Sequence, residues 1–246
     1  MIIALLADIH GNRRALEASL AQARALGAGQ FVFLGDLVGY GAEPEEVVAT
    51  VRKLCERGAI AVMGNHDHAA VAGGGGMNGD ASRAIAWTRS QLSAESLSFL
   101  SRLPMTVRDE DRLYVHADAS SPSSWNYVQD AEDARKSMMA TGSRLTFCGH
   151  THMPAMFALS ETGKMLMHKP VTNIAVPLLA RRRWLSVVGS VGQPRDGHPS
   201  SAFATFDTVS GLLTYRRASY DAEAAASTIR ASGLPDRLAE RLLAGA

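Results

Sequence analysis

The chain has 246 residues, 46% of them apolar and 20% charged, and a net charge of +1. This describes an ordinary globular protein, large enough to bury a core without disulfides or a structural metal. The near-neutral balance leaves no footprint for bulk nucleic-acid binding, and no stretch approaches the roughly 18 apolar residues of a membrane span.

The run Met1 to Ala7 is continuously apolar and predicts a buried strand over 2–7. It is not a secretory signal, because no positive region precedes it and Asp8 ends it too early. Leu16, Leu20, Ala23 and Leu26 recur at helical spacing and predict a helix over 13–26, with Gly27 and Gly29 beyond its end. A strand over 31–34 follows. Pro44, with Glu45 and Glu46 in the first turn, opens a helix over 44–57, and a third strand covers 60–63. Strand and helix thus alternate through residue 67, which predicts parallel strands with crossover helices. Ligands in such sheets bind beyond the carboxyl ends of the strands.

Gly73 to Gly76 break this order and read as a mobile loop. Helices are predicted over 81–92 and 94–103, with Pro104 as a stop. A strand over 113–115, a helix over 131–140 and a strand over 145–148 come next. The last third holds strands over 155–159, 164–168, 184–188, 202–206 and 212–216, whose close turns suggest hairpins and a second sheet. Two helices over 222–231 and 235–244, split by Gly233, end the chain. Arg181-Arg182-Arg183 reads as a solvated turn before Trp184. The two cysteines, Cys55 and Cys148, form no Cys-x-x-Cys pair and suit a reducing, cytoplasmic setting.

Five polar segments follow apolar ones: Asp8-Ile9-His10, Gly35-Asp36, Gly64-Asn65-His66-Asp67, His116 and Gly149-His150-Thr151-His152. Asp8 and His10 are two apart, so at a strand end both side chains reach one side. His150 and His152 repeat this spacing. The Asp36 carboxylate has two oxygens with which to bridge two ions. Asn65 offers a carbonyl oxygen and His116 a further imidazole. One such motif is weak, but five in order form a ligand set for two divalent metals about 3.5–4 Å apart, able to clamp a phosphate. His68, His168 and His198 stand outside the pattern.

In order and spacing these segments resemble the calcineurin-like metallophosphoesterases, over most of the chain. The resemblance implies one domain over 1–246, an α/β (α+β) four-layer α-β-β-α sandwich of two mixed sheets flanked by helices. It implies one metal on Asp8, His10 and His152, a second on Asn65, His116 and His150, and Asp36 between them. His66 matches the family's general acid. Asp67 either orients it or caps the next turn. The segment Gly189 to Gly197 resembles a loop beside the metals in small prokaryotic relatives, which makes Arg195 a candidate substrate contact or else a salt-bridge partner. Asn12 is a second candidate contact. Where the Ser/Thr protein phosphatases carry a further aspartate and an arginine, this chain has Gly39 and Tyr40. It looks instead like the small prokaryotic group described as phosphodiesterase-like or diadenosine-tetraphosphatase-like.

The expected function is hydrolysis of small-molecule phosphoesters, phosphodiesters or nucleotides, by in-line attack of a hydroxide bridging two ions. The mixed nitrogen and oxygen donors suit Mn, Fe, Zn, Ni or Co. A nuclease is the alternative enzyme, weakened by the neutral charge. A non-catalytic scaffold binding a protein partner is weakened by the complete ligand set. No membrane partner is expected. Trp125 and Tyr127, in the segment 118–130, could stack on a base or simply pack.

Overall fold

The computed structural model describes residues 1–73 and 79–246. Of the four-glycine loop, Gly74, Gly75 and Gly76 lie outside the described residues. The first third follows the expected order: β1 (Ile2–Leu6), α1 (Arg13–Ala25), β2 (Ala28–Phe33), α2 (Pro44–Cys55) and β3 (Ile60–Ala61). Asn12 starts α1 by accepting the Ala15 N–H at 3.1 Å, and Pro44 stands in the first turn of α2. Three helices follow, α3 (Asn65–Ala72), α4 (Gly79–Gln91) and α5 (Ala94–Ser101). The remaining elements are β4 (Thr106–Asp109), β5 (Arg112–Val115), α6 (Ala131–Met139), β6 (Leu145–Cys148), β7 (Ala155–Ser160), β8 (Met165–His168), β9 (Ala175–Pro177), β10 (Arg182–Val187), β11 (Ser201–Asp207), β12 (Leu212–Ala218), α7 (Ala222–Ala231) and α8 (Asp236–Ala244).

The strands form two six-stranded mixed sheets, ordered β3-β2-β1-β11-β12-β9 and β4-β5-β6-β10-β7-β8. β1 pairs parallel with β2 and antiparallel with β11, Leu5 facing Ala204. The strands of the last third make the expected hairpins, β7-β8 and β11-β12, and are shared between the two sheets. β9, β11 and β12 complete the first sheet, while β7, β8 and β10 extend the second. β1 is apolar on both faces, so layers must cover both of them, and its second edge, opposite β2, is taken by β11.

Alternation along β1 shows the layering. Ile3 and Leu5 point between the sheets, against Tyr114, Leu145, Phe147 and Trp184. Ala4 and Leu6 point outward, under Leu16 and Leu20 of α1 and Val47 and Val51 of α2. On the far side, Phe157, Leu185 and Val187 pack against Ala134 and Met138 of α6. Four layers result, α-β-β-α. Arg183 departs from the solvated-turn reading, because it lies in β10 and donates to the Ser143 carbonyl at 3.0 Å. Among the described residues no helix is long and apolar enough to cross a membrane.

Candidate metal centre

The polar segments meet at one edge of the molecule, beyond β1, β2, β5 and β6. The side-chain pairing within each segment arises differently from strand alternation. β1 ends at Leu6, and Asp8 and His10 lie past it with φ of 53° and 49°. Asp36, His150 and His152 also have positive φ, at 53°, 69° and 62°. Five ligand candidates thus sit in left-handed turns, each costing of order 1–3 kcal/mol. The turns are held by the backbone: Ile9 and His10 N–H donate to the Asp36 carbonyl at 2.8 and 2.9 Å, and Gly41 N–H donates to the His10 carbonyl at 2.8 Å. At Gly149 a Cβ would come within 2.5 Å of an Asp8 oxygen, so only glycine lets the two segments meet.

Each ligand histidine has its second ring nitrogen against a backbone carbonyl. His10 Nδ1 donates to Val38 O at 3.1 Å, His116 Nδ1 to Leu34 O at 2.8 Å, His150 Nε2 to Trp125 O at 2.8 Å and His152 Nδ1 to Gln193 O at 2.6 Å. These bonds assign the tautomers and aim the other nitrogens inward. His10 Nε2 and His152 Nε2 then face each other at 3.0 Å, with Asp8 Oδ1 3.5 Å from the latter. His116 Nε2 and His150 Nδ1 face each other at 3.1 Å, with Asn65 Oδ1 3.1 Å from His116. One oxygen, Asp36 Oδ2, reaches both groups, 3.6 Å from His10 and 3.4 Å from His116. The other, Oδ1, accepts the His66 backbone N–H at 2.8 Å.

Electrostatics fit cations in these positions. All six of Asp8, His10, Asp36, His116, His150 and His152 are buried. Burial raises the Asp8 carboxyl to about 7 and, with His116 next to it, lowers His150 to about 3. Burial also holds His10 and His152 well below the usual histidine range. His116 is the exception. Burial pulls it down, but Asp36, Asp8 and the Leu34 carbonyl together lift it to about 9, so a proton sits where a cation would bind. Facing lone pairs and a buried carboxylate are stable only with positive charge between them.

The third segment differs from the sequence reading. Asn65, His66 and Asp67 open α3 instead of ending a strand, since β3 stops at Ala61. Asp67 does not orient His66. Its Oδ2 accepts Gly64 N–H at 3.0 Å and its Oδ1 accepts Leu37 and Val38 N–H at 2.9 and 3.2 Å. It caps the helix and ties it to the Asp36 loop. His66 is buried, edge-on to His10 at 4.8 Å between ring centroids, and 4.5 Å from the Tyr40 ring. It lies within ligand distance of His10 and Asp36, yet it lacks the carbonyl partner the other four rings have. Its Nδ1 has no hydrogen-bond partner among the described residues. A Cβ on Gly39, at φ 94°, would collide with that nitrogen. Burial lowers the His66 pKa.

Asn12 is buried, and its side chain is spent on scaffold hydrogen bonds. Its Oδ1 caps α1, and its Nδ2 donates to Gly192 O at 3.0 Å and Tyr220 Oη at 3.2 Å. We expect Asn12→Ala to lower stability by about 1–2 kcal/mol, the worth of a helix cap, with turnover per folded molecule unchanged. Urea melts and rates on the same preparation would check this. Arg195 lines the cleft with Asp36, His66 and His152, its guanidinium 5.8 Å from the Tyr40 ring centroid. It does not pair with Asp196, which binds Arg217 instead. Two aromatic contacts were not legible in the sequence. Tyr127 stacks on His150 at 4.2 Å and 10°, and Tyr40 lies 4.6 Å from His10. Tyr40 stands close after Asp36 and Tyr127 lies in the segment 118–130, but nothing in either position names the histidine it meets. His68 is exposed, 6.0 Å from Trp125, and His168 and His198 are exposed away from the ligands.

Such a fold with such a set of metal-capable side chains is that of the metallophosphoesterases. The chain belongs to the calcineurin-like phosphoesterase superfamily, whose domain profile matches residues 1–211. It is 34% identical to uncharacterized protein MJ0912 of Methanocaldococcus jannaschii, over 99% of this chain and 98% of that one. The crystal structure of a metallophosphoesterase from Sphaerobacter thermophilus matches with a TM-score of 0.88 and 35% identity, covering 100% of this chain and 99% of the other. PH1004 from Pyrococcus horikoshii OT3 shares the fold at a TM-score of 0.80 and 18% identity, covering 100% and 98%.

Proposed function

We propose that this protein hydrolyses phosphodiesters or nucleotides of small size with the help of two divalent ions. The observation that carries the reading is the pair of facing imidazole nitrogens on each side of Asp36 Oδ2. Asp8, His10 and His152 would hold one ion, Asn65, His116 and His150 the other, and Asp36 would contribute to both. When bound, such ions supply charge compensation for phosphoryl oxygens and an activated water.

The chain's own residues do the rest. Arg195 places a positive charge on the cleft wall, beside the position a phosphate would take. His66 faces the same cleft with no carbonyl holding its ring. Its protonated form, disfavoured by burial, gives up a proton readily, which suits a donor to the leaving oxygen. A cytoplasmic location fits the free thiols Cys55 and Cys148.

The test is a substrate panel with Mn²⁺: aryl monoesters, aryl diesters, cyclic nucleotides and dinucleoside polyphosphates. Turnover of at least one diester or nucleotide is expected, lost with a chelator and restored by the ion. No turnover on any member with metal bound would overturn the reading and favour the scaffold.

A further inference from the structure

The cleft at the ligands encloses about 160 Å³, room for a phosphoryl group and little more. Arg195 is also part of the wall of a second, larger chamber of about 470 Å³. That volume lies in the range of small-molecule sites. Its lining is largely apolar, with the buried Ala202 and Tyr215 beside Pro154 and the exposed Met153 and Met167. Its charged rim is one-sided: Lys169, Arg195, Arg216 and Arg217 against the single acid Asp196.

Asp196 is taken by Arg217. Arg216 is half-buried and, among the described residues, meets neutral oxygens, Asn173 Oδ1 at 3.0 Å and Thr205 Oγ1 at 3.3 Å. Lys169 and Arg195 make no ion pair among the described residues, and Arg195 Nε is buried without a partner. A half-buried guanidinium with no counter-charge is costly, and a bound anion relieves it. A further recess beside the cleft, about 440 Å³ past Tyr127, carries Asp118 and Asp133 against Lys136 and so repels anions.

We propose that the Arg195 chamber seats the part of the substrate beyond the scissile phosphate, and that this part carries a second anionic group on a largely apolar or aromatic body. Arg195 would then touch both ends of one ligand. The proposal rests on the phosphoesterase reading above for the scissile end, and on the chamber's own charge for the far end.

A matched pair of chromogenic esters tests it: thymidine 5′-(4-nitrophenyl phosphate) with and without a 3′-phosphate. The wild type should favour the 3′-phosphorylated ester in kcat/KM by about tenfold, the worth of one charge contact. Lys169→Glu and Arg216→Gln should bring that ratio towards one. A ratio of one in the wild type, or a ratio untouched by both variants, overturns the proposal. If neither ester turns over, the hydrolase reading is at fault, and the chamber is judged separately by calorimetry. There, chelator-treated wild type should bind thymidine 3′,5′-bisphosphate at least about tenfold tighter than Lys169→Glu does. Equal affinities would overturn the chamber as an anion site. Lys169 is exposed, so its replacement leaves the fold intact.

Discussion

Asp36→Asn should strip both ions and lower turnover by at least about a thousandfold, roughly 4 kcal/mol of transition-state stabilisation. The geometry makes this substitution informative. The asparagine carbonyl can keep the 2.8 Å bond from the His66 N–H, so the loop stays in place. Its amide nitrogen then takes the place of Oδ2, the one oxygen that reaches both His10 and His116. A donor replaces a shared anionic acceptor, and both ligand groups lose it together. Elemental analysis of the folded variant should find neither ion. Full occupancy by two ions would sink the shared-oxygen reading.

The same substitution carries a pH signature in the metal-free protein. His116 is lifted to about 9 against its ordinary 6.5, by Asp36, Asp8 and the Leu34 carbonyl acting against burial. A raised folded value contributes stability fully below pH 6.5, and that contribution is lost as pH rises through 9. Metal-free wild type should therefore lose stability across this window. Asp36→Asn, lacking the carboxylate, should show a flatter profile there. Chemical melts at several pH values distinguish the two outcomes.

His66→Ala has the second largest expected effect, and it differs in kind. The ring is outside both facing pairs, so ion content should be unchanged. Turnover of an alkyl diester, whose leaving oxygen is strongly basic, should fall by about 10²–10⁴. A 4-nitrophenyl ester leaves without needing a proton and should be far less affected. An equal loss on both esters would place His66 in positioning rather than proton transfer. No loss on either would remove it from the reaction.

The sequence made the first half of the fold legible because its signals are local. The continuous apolar run of β1, the cap and periodicity of α1 and Pro44 at the start of α2 each act within a few residues. α6, β6 and the closing helices α7 and α8 were legible for the same reason. β4 and β9 were missed because they are short edge strands whose few residues carry little pattern. α3 was missed because Gly64-Asn65-His66-Asp67 looks like a turn until Asp67 is seen capping it.

The residue types able to hold metal, and their order along the chain, were determined by the sequence alone. A single segment of this kind could equally cap a helix or a turn, but five of them in order along the chain leave few other readings. Only the tertiary structure decided how they converge. The left-handed turns at Asp8, His10, Asp36, His150 and His152 are held by hydrogen bonds between segments far apart in sequence. The ring tautomers depend on carbonyls of Leu34, Val38, Trp125 and Gln193, which carry no side-chain signature. Asn12 and Asp67 passed from the site to the scaffold once their backbone partners were visible. Backbone groups are identical in every residue, so a sequence cannot say which of them will meet a side chain; folding does.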